Sequence, residues 1–104
     1  MRRAARLVKV VDETTEVSCA GGRGVIREEV WQDSKSSLAK YNLAFVNHFL
    51  CSVDHGRVLG YDNKHGTHHR HFMGEENAVA FQSYEKLLRR FLAEVKTLRK
   101  RTHL

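Results

Sequence analysis

The stretch YNLAFVNHFLCSVDHGRVLGY, at residues 41–61, decides the fold that this sequence predicts. From Tyr41 to Cys51, apolar side chains occupy every second position except Asn47, a pattern typical of a strand that buries one face. The segment SVDHG at residues 52–56 indicates a tight turn, and Arg57–Tyr61 is predicted to return as the partner strand. The sequence therefore predicts an antiparallel hairpin within a sheet.

A second pattern, near the end of the chain, predicts a helix. Ser83 is a residue that favours the N-cap position, and Glu85 lies in the first turn, where the helix dipole stabilises an anion. Apolar residues then recur at steps of three and four: Tyr84, Leu87, Leu88, Phe91, Leu92, Val95 and Leu98. This spacing predicts an amphipathic helix of about five turns that ends near Arg101.

Shorter segments complete the predicted fold. The segments Arg6–Val11 and Val25–Trp31 predict strands, whereas the polar segment Asp12–Gly24 is predicted to be a loop or a frayed hairpin. Thr67–Phe72 is predicted to be short and extended. Strands first and one helix last favour a single α+β domain over residues 1–104. We predict an antiparallel sheet of four to five strands with one long C-terminal helix packed on one face.

The chain is basic, with a net charge of +6 and a pI of about 9.7. Residues 82–104 contribute +5 of this charge, because seven Lys and Arg residues there oppose only Glu85 and Glu94. Such a balance favours nucleic acid or an acidic protein as partner. The alternative is that the helix merely presents a solvated basic face.

Localisation is predicted from what the sequence lacks. No apolar stretch approaches the roughly 20 residues that span a bilayer, and no secretory leader is recognisable. We therefore expect a cytoplasmic protein without membrane contact. In that reducing compartment, Cys19 and Cys51 should be free thiols.

Histidines crowd into one segment, HGTHHRH, at residues 65–71. If Thr67–Phe72 is extended, His69 and His71 point to one side and His68 and Arg70 to the other. Two imidazoles can act as general base and general acid at neutral pH, which suits cleavage of RNA through its 2′-hydroxyl group.

On this acid–base interpretation, a cation must hold the phosphate and an aromatic ring can contact a base. Arg70 or Lys64 could supply the cation, with Lys64 favoured if Arg70 faces away from the histidines. Tyr61 could stack on a base or donate a hydrogen bond. Two alternatives stay open: a metal site to which Asp62 adds an oxygen ligand, and a solvated histidine-rich loop.

The sequence also resembles a known family at Arg57–Asn63, followed by Gly66 and His68–His71. These motifs are similar to those of the TumE family, small proteins described as toxin components of bacterial toxin–antitoxin pairs. The resemblance covers roughly residues 40–101, whereas residues 1–39 match only as short strands. It implies an antitoxin partner, typically a helix-turn-helix DNA-binding protein. The positions that carry over are Tyr61, Asp62, Asn63, His69, Arg70 and His71.

Together these observations predict a toxin that is a metal-independent ribonuclease, acts on RNA without a cofactor and is neutralised by its antitoxin. The predicted catalytic residues are His69, His71 and Arg70. The predicted substrate-binding residues are Tyr61, Asp62, Asn63, Lys64, His68, Arg89 and Arg90. The alternative is a non-enzymatic module that binds nucleic acid or protein through the basic helix. A homodimer is a further expectation that the sequence leaves open.

Overall fold

A computed structural model describes residues 6–103 of the chain. Within them, six antiparallel strands form one sheet in the order of the sequence, and a single α-helix follows. The elements are β1 (Val8–Cys19), β2 (Gly22–Gln32), β3 (Leu38–Val46), β4 (Arg57–Asp62), β5 (His69–Phe72), β6 (Glu75–Ala78) and α1 (Tyr84–Leu98). The α+β class is confirmed, but the expected four to five strands are six. The start of the chain, where a leader would lie, is outside the described residues.

The central hairpin forms as predicted, although its first strand is shorter. β3 ends at Val46 rather than Cys51, because Asn47 turns the chain. The Asn47 side chain accepts a hydrogen bond from the backbone N–H of Phe49 at 2.9 Å. The backbone carbonyl of Asn47 accepts a second one from the backbone N–H of Cys51 at 3.1 Å. Phe49, assigned to the buried face by the alternation, is consequently exposed. The interruption at Asn47 marks the end of the strand.

The prediction of a loop or frayed hairpin over Asp12–Gly24 is wrong. β1 and β2 form a long hairpin with a register shift between Lys9 and Val11, in which Cys19 pairs with Gly22 across a two-residue turn. Most residues of β1 are exposed on both faces, since the helix packs on β3 and β4. A strand exposed on both faces shows no apolar alternation, so the pattern that identifies strands is absent there.

The sequence analysis did not predict β6, because this strand is also exposed on both faces. All four of its residues, Glu75–Ala78, are exposed, so no buried face marks the strand. It pairs with β5 through a two-residue turn at Met73 and Gly74, whose φ angles are 52° and 87°. Positive φ at both turn residues is the geometry that matches the twist of a tight hairpin.

The helix covers one face of the sheet. The Ser83 side chain accepts the backbone N–H of Lys86 at 3.2 Å, so the predicted N-cap is confirmed. The buried residues of α1 pack in one core with those of β3 and β4. They are Leu87, Phe91, Val95 and Leu98 of the helix and Tyr41, Leu43, Phe45, Leu59 and Tyr61 of the two strands. The helix ends at Leu98, short of Arg101. Within residues 6–103 no helix is long and apolar enough to cross a membrane.

We predict that Leu87→Ala and Leu92→Ala differ sharply in stability. Leu87 is 5% exposed in the core, whereas Leu92 is 44% exposed on the same helix. Truncation of Leu87 should lower the free energy of unfolding by about 2–5 kcal/mol, because it leaves a cavity. Leu92→Ala should change it by only about 0.5 kcal/mol. Urea denaturation measures both, and equal losses would contradict the packing described above.

Candidate functional site

The alternation of side chains in β4 and β5 divides the histidine segment between two faces. Asp62 pairs with His69 in the strand register, and Tyr61 pairs with Arg70. Asp62, His69 and His71 point away from the helix, onto what we call the open face of the sheet. Tyr61 and Arg70 point toward α1. The prediction that His69 and His71 share one side, opposite Arg70, is confirmed.

On the open face, one carboxylate lies against both imidazoles. The Nε2–H of His71 donates to Asp62 Oδ2 at 2.9 Å, and His69 Nδ1 lies 3.5 Å from Asp62 Oδ1. Asp62 and His71 are each only 14% exposed, so these contacts are largely shielded from water. A hydrogen bond at Nε2 fixes the orientation of the His71 ring and, in the neutral tautomer, leaves the lone pair on Nδ1.

The two histidines have different surroundings. Their ring centroids are 6.2 Å apart and the ring planes are inclined by 56°. His69 Nδ1 is buried and has no hydrogen-bond partner among the described residues. Its nearest carboxylates are Asp62 and Glu76, the latter at 3.7 Å. A proton on this nitrogen would therefore face two acidic groups.

Arg57 is a cation beside Asp62. Its Nε donates to Asp54 Oδ2 at 2.7 Å, and its Nη1 lies 3.8 Å from Asp62 Oδ2. The side chain crosses Gly60, where an added Cβ would lie 2.8 Å from Arg57 Cδ. Glycine at this position therefore allows the guanidinium to lie flat along β4 and reach Asp62.

Arg70 does not serve the histidine pair. It forms an ion pair with Glu94 of α1, and its Nε donates to the Tyr61 hydroxyl at 3.1 Å. The Tyr61 hydroxyl also donates to Glu94. The strand register turns Arg70 to the face opposite His69 and His71, so this geometry does not support its predicted catalytic role.

Tyr61 cannot stack on a base in this structure, since its side chain is fully buried under the helix. Burial raises the pKa of Tyr61 to about 12, and the hydrogen bond to Glu94 acts in the same direction. The residue therefore stays a neutral hydrogen-bond donor of the core. This burial does not support the predicted substrate-binding role of Tyr61.

Asn63 and His68 also have structural partners. The Asn63 side chain accepts the backbone N–H of Tyr41 and donates to the carbonyl of Ala39, each at 3.0 Å. It thereby continues the β3–β4 ladder beyond the last backbone pair. His68 Nδ1 lies 2.8 Å from the Tyr41 hydroxyl, and its ring stacks on Phe81 with centroids 4.1 Å apart. Neither side chain points to the open face.

A cavity of about 440 Å³ opens beside Asp62 on the open face. Its lining includes the predicted residues Asp62 and Lys64, and it adds residues that the sequence did not single out. These are Glu29, Trp31, Lys40, Asn42 and Arg57. Aligning β2, β3 and β4 in antiparallel register would have found them, because Glu29, Asn42 and Asp62 occupy one row across the sheet.

The cavity is cationic where it meets solvent. Glu29 is offset by Lys9, whose Nζ lies 2.6 Å from it, and this hydrogen bond lowers the pKa of the Glu29 carboxyl. Lys40 and Lys64 also line the cavity, and neither forms an ion pair within the part of the chain that is described. Their free ammonium groups favour an anion in this place.

The basic residues of the helix lie away from the histidines. Arg89 pairs with Glu85 at 3.0 Å, and Arg90 lies 3.6 Å from Glu94 and over the Tyr61 ring. Both belong to α1, on the side of the sheet opposite the open face. The structure therefore does not unite the predicted binding residues Arg89 and Arg90 with the histidine pair.

The sequence left open a metal site to which Asp62 adds an oxygen ligand, and this requires several ligands close together. Across residues 6–103, no group of three or more His, Cys, Asp and Glu side chains has the geometry to hold a metal ion. Around Asp62, the His71 imidazole is hydrogen-bonded to the carboxylate, and the His69 Nδ1 lies 3.5 Å from it without a hydrogen bond.

Comparison with protein families identifies the family of this chain. A family model described as Toxin TumE matches residues 3–99. The chain belongs to the TumE toxin family. The match includes the long β1–β2 hairpin, so the TumE similarity extends well in front of residue 40. It indicates the toxin component of a toxin–antitoxin system and implies a cognate antitoxin as partner. No curated protein and no solved structure matches the TumE chain.

For this TumE protein, we predict that Asn63→Ala lowers the free energy of unfolding by about 1–3 kcal/mol. The substitution leaves backbone groups of Tyr41 and Ala39 without their partners. Asn77→Ala is the matched control, because Asn77 is exposed on β6. Thermal or urea unfolding compares the two. If both variants keep the stability of the parent protein, the ladder role of Asn63 is refuted.

Proposed function

We propose that this TumE protein is a toxin that cleaves RNA by metal-independent acid–base catalysis in the cytoplasm, and that its antitoxin neutralises it. The observation that carries the proposal is the shared carboxylate of Asp62. It holds His71, faces His69 and lies beside Arg57, all on the open face. Two imidazoles and a guanidinium are the groups that RNA transesterification requires.

The proposed reaction proceeds without an added reactant. One imidazole removes the proton from a ribose 2′-hydroxyl, and the 2′-oxygen attacks the adjacent phosphorus. The bond from phosphorus to the 5′-oxygen breaks, and the other imidazole, as imidazolium, gives its proton to that oxygen. The products are a 2′,3′-cyclic phosphate and a free 5′-hydroxyl. We assign the two steps to His69 and His71, in either order.

The remaining groups position and stabilise. Asp62 is a positioning residue, because its hydrogen bond orients the His71 ring. Arg57 replaces Arg70 as the proposed phosphate ligand, held in place by Asp54. A guanidinium can bind two phosphate oxygens at once and offsets the charge that develops during attack. Lys64, at the edge of the same cavity, adds a second cation.

The charge of the cavity supports a polyanionic substrate. Lys40, Lys64 and Arg57 line it, and each phosphate that they neutralise releases counterions. Binding of RNA should therefore weaken as salt rises. We further propose that the antitoxin, of the helix-turn-helix type, covers the open face and so blocks access to His69 and His71.

We predict that purified protein cleaves single-stranded RNA equally with and without EDTA, leaving cyclic phosphate ends. His69→Ala and His71→Ala should each lower the rate at least about 100-fold, because each removes one proton-transfer group. His65→Ala is the matched control, since His65 is exposed on the turn before β5. Gel analysis of end-labelled RNA measures the rates and the ends.

Three outcomes would refute the mechanism. Activity that EDTA abolishes would show that a metal is needed. Equal activity of the parent protein and both histidine variants would remove the histidines from catalysis. Growth arrest by all three proteins in cells that lack the antitoxin would do the same in vivo.

A second candidate is a binding module that acts through the basic helix. Lys86, Arg89 and Lys96 are exposed on α1, so a partner can reach them. Charge reversal at Arg89, Arg90 and Lys96 would then abolish the toxic effect, while the histidine variants would remain active. The ribonuclease proposal expects the opposite pattern.

A further inference from the structure

Trp31 occupies an unusual place on the open face. It is the chain's single tryptophan, and it lies on β2 between Lys9 of β1 and Lys40 of β3. The two ammonium groups lie 4.9 Å and 4.7 Å from the centroid of its ring. Together with Lys40, Trp31 lines the cavity that contains Asp62.

The two lysines hold the ring in different ways. Lys9 is fixed by carboxylates, because its Nζ lies 3.2 Å from Asp12 and 2.6 Å from Glu29. Lys40 is exposed, and the ion pairs found among residues 6–103 do not include it. Of these two lysines, Lys40 lines the cavity and Lys9 does not. The Lys40 ammonium can therefore leave the ring at little cost, whereas Lys9 stays in place.

We propose that the cavity side of Trp31 is a stacking site for one nucleobase of single-stranded RNA. This inference rests on the proposed ribonuclease function and names the part of the substrate that the cavity binds. When RNA docks, Lys40 moves from the ring to a phosphate, and a base takes its place on the indole. Every base has an aromatic face, so this contact adds affinity without strong sequence preference.

The position of Trp31 fits a base near the reacting nucleotide. Trp31 pairs with Lys40, which lies two residues before Asn42, and Asn42 pairs with Asp62. Two strand spacings and two residues separate Trp31 from Asp62, which corresponds to about 12 Å across the sheet. The stacked base is therefore a neighbour of the nucleotide whose phosphate is attacked. The competing interpretation is that lysine and tryptophan only stabilise the sheet.

Intrinsic fluorescence tests the proposal directly, since all indole emission comes from Trp31. The probe is a 2′-O-methyl oligoribonucleotide, which lacks the attacking hydroxyl and so is not cleaved. We expect it to quench the emission with the same midpoint that the anisotropy of a labelled probe gives. An abasic sugar-phosphate oligomer and inorganic phosphate should not quench the emission, because they carry no base to stack on the indole.

Variants separate stacking from sheet stability. Trp31→Ala should weaken probe binding about tenfold, whereas Trp31→Phe should retain most of the affinity, because an aromatic face remains. A plot of log affinity against log salt concentration has a slope that grows with the number of phosphate contacts. Lys40→Ala should reduce this slope by about 1, the value for one phosphate contact, whereas Lys35→Ala in the β2–β3 turn should leave it unchanged. Thermal unfolding of each variant shows whether its sheet is intact.

The outcomes distinguish this inference from the function on which it rests. Probe binding by anisotropy without a change in indole emission would overturn stacking and leave the ribonuclease proposal standing. Quenching by the abasic oligomer would overturn it too, because the phosphates alone would then explain the signal. Normal quenching in a protein that fails to cleave RNA would support the stacking site and reject the catalytic proposal. Absence of any probe binding would reject both.

Discussion

The period-two alternation of β4 and β5 is the constraint on which the rest of this structure depends. Neighbouring residues of a strand point to opposite faces, so the segment that carries the family motif serves two purposes at once. Tyr61 and Arg70 form one layer under the helix, and Asp62, His69 and His71 form the other on the open face. A shift of one residue in this register would exchange the two sets and destroy both the core and the site.

The layer under the helix explains part of the motif in purely structural terms. Tyr61, Arg70 and Glu94 form a polar cluster between β4, β5 and α1. About a quarter of the Arg70 and Glu94 side-chain surface is exposed, so water screens their ion pair and its net contribution to stability is modest. Its main effect is to fix how α1 lies on the sheet, while Phe91 and its apolar neighbours supply the burial. Tyr61 and Arg70, which belong to the family motif, therefore both contact the helix through Glu94.

The sequence predicted the parts of the fold that build the core. β3 and α1 bury an apolar face and β4 is buried over residues 58–61, so their apolar residues mark them. β1 and β6 are exposed on both faces, and no period in their side chains separates them from loops. A strand that contributes few residues to the core therefore leaves little signal in its sequence.

The sequence identified the candidate-site residues that lie close together along the chain. It missed those that only the pairing of distant strands brings together. The facing of His69 and His71 follows from alternation within β5 alone. Arg57, Trp31 and Lys40 belong to three different strands, and their place depends on register across β2, β3 and β4. Register is set by turn lengths and by the bulges near Trp31 and Phe45, neither of which composition reveals. Long-range pairing is therefore the information that the local patterns lacked.

The carboxylates and the cations of the open face have opposite effects on a bound phosphate. Asp62 and Glu76 lie close to both imidazoles, and carboxylates by themselves repel a phosphate. The repulsion is offset from the side, because Arg57 lies against Asp62, and Lys40 and Lys64 line the adjacent cavity. An acid–base pair also needs two groups that are not equivalent. His71 has a fixed hydrogen bond and His69 an unpartnered nitrogen, so the asymmetry that such a pair requires is already present in their contacts.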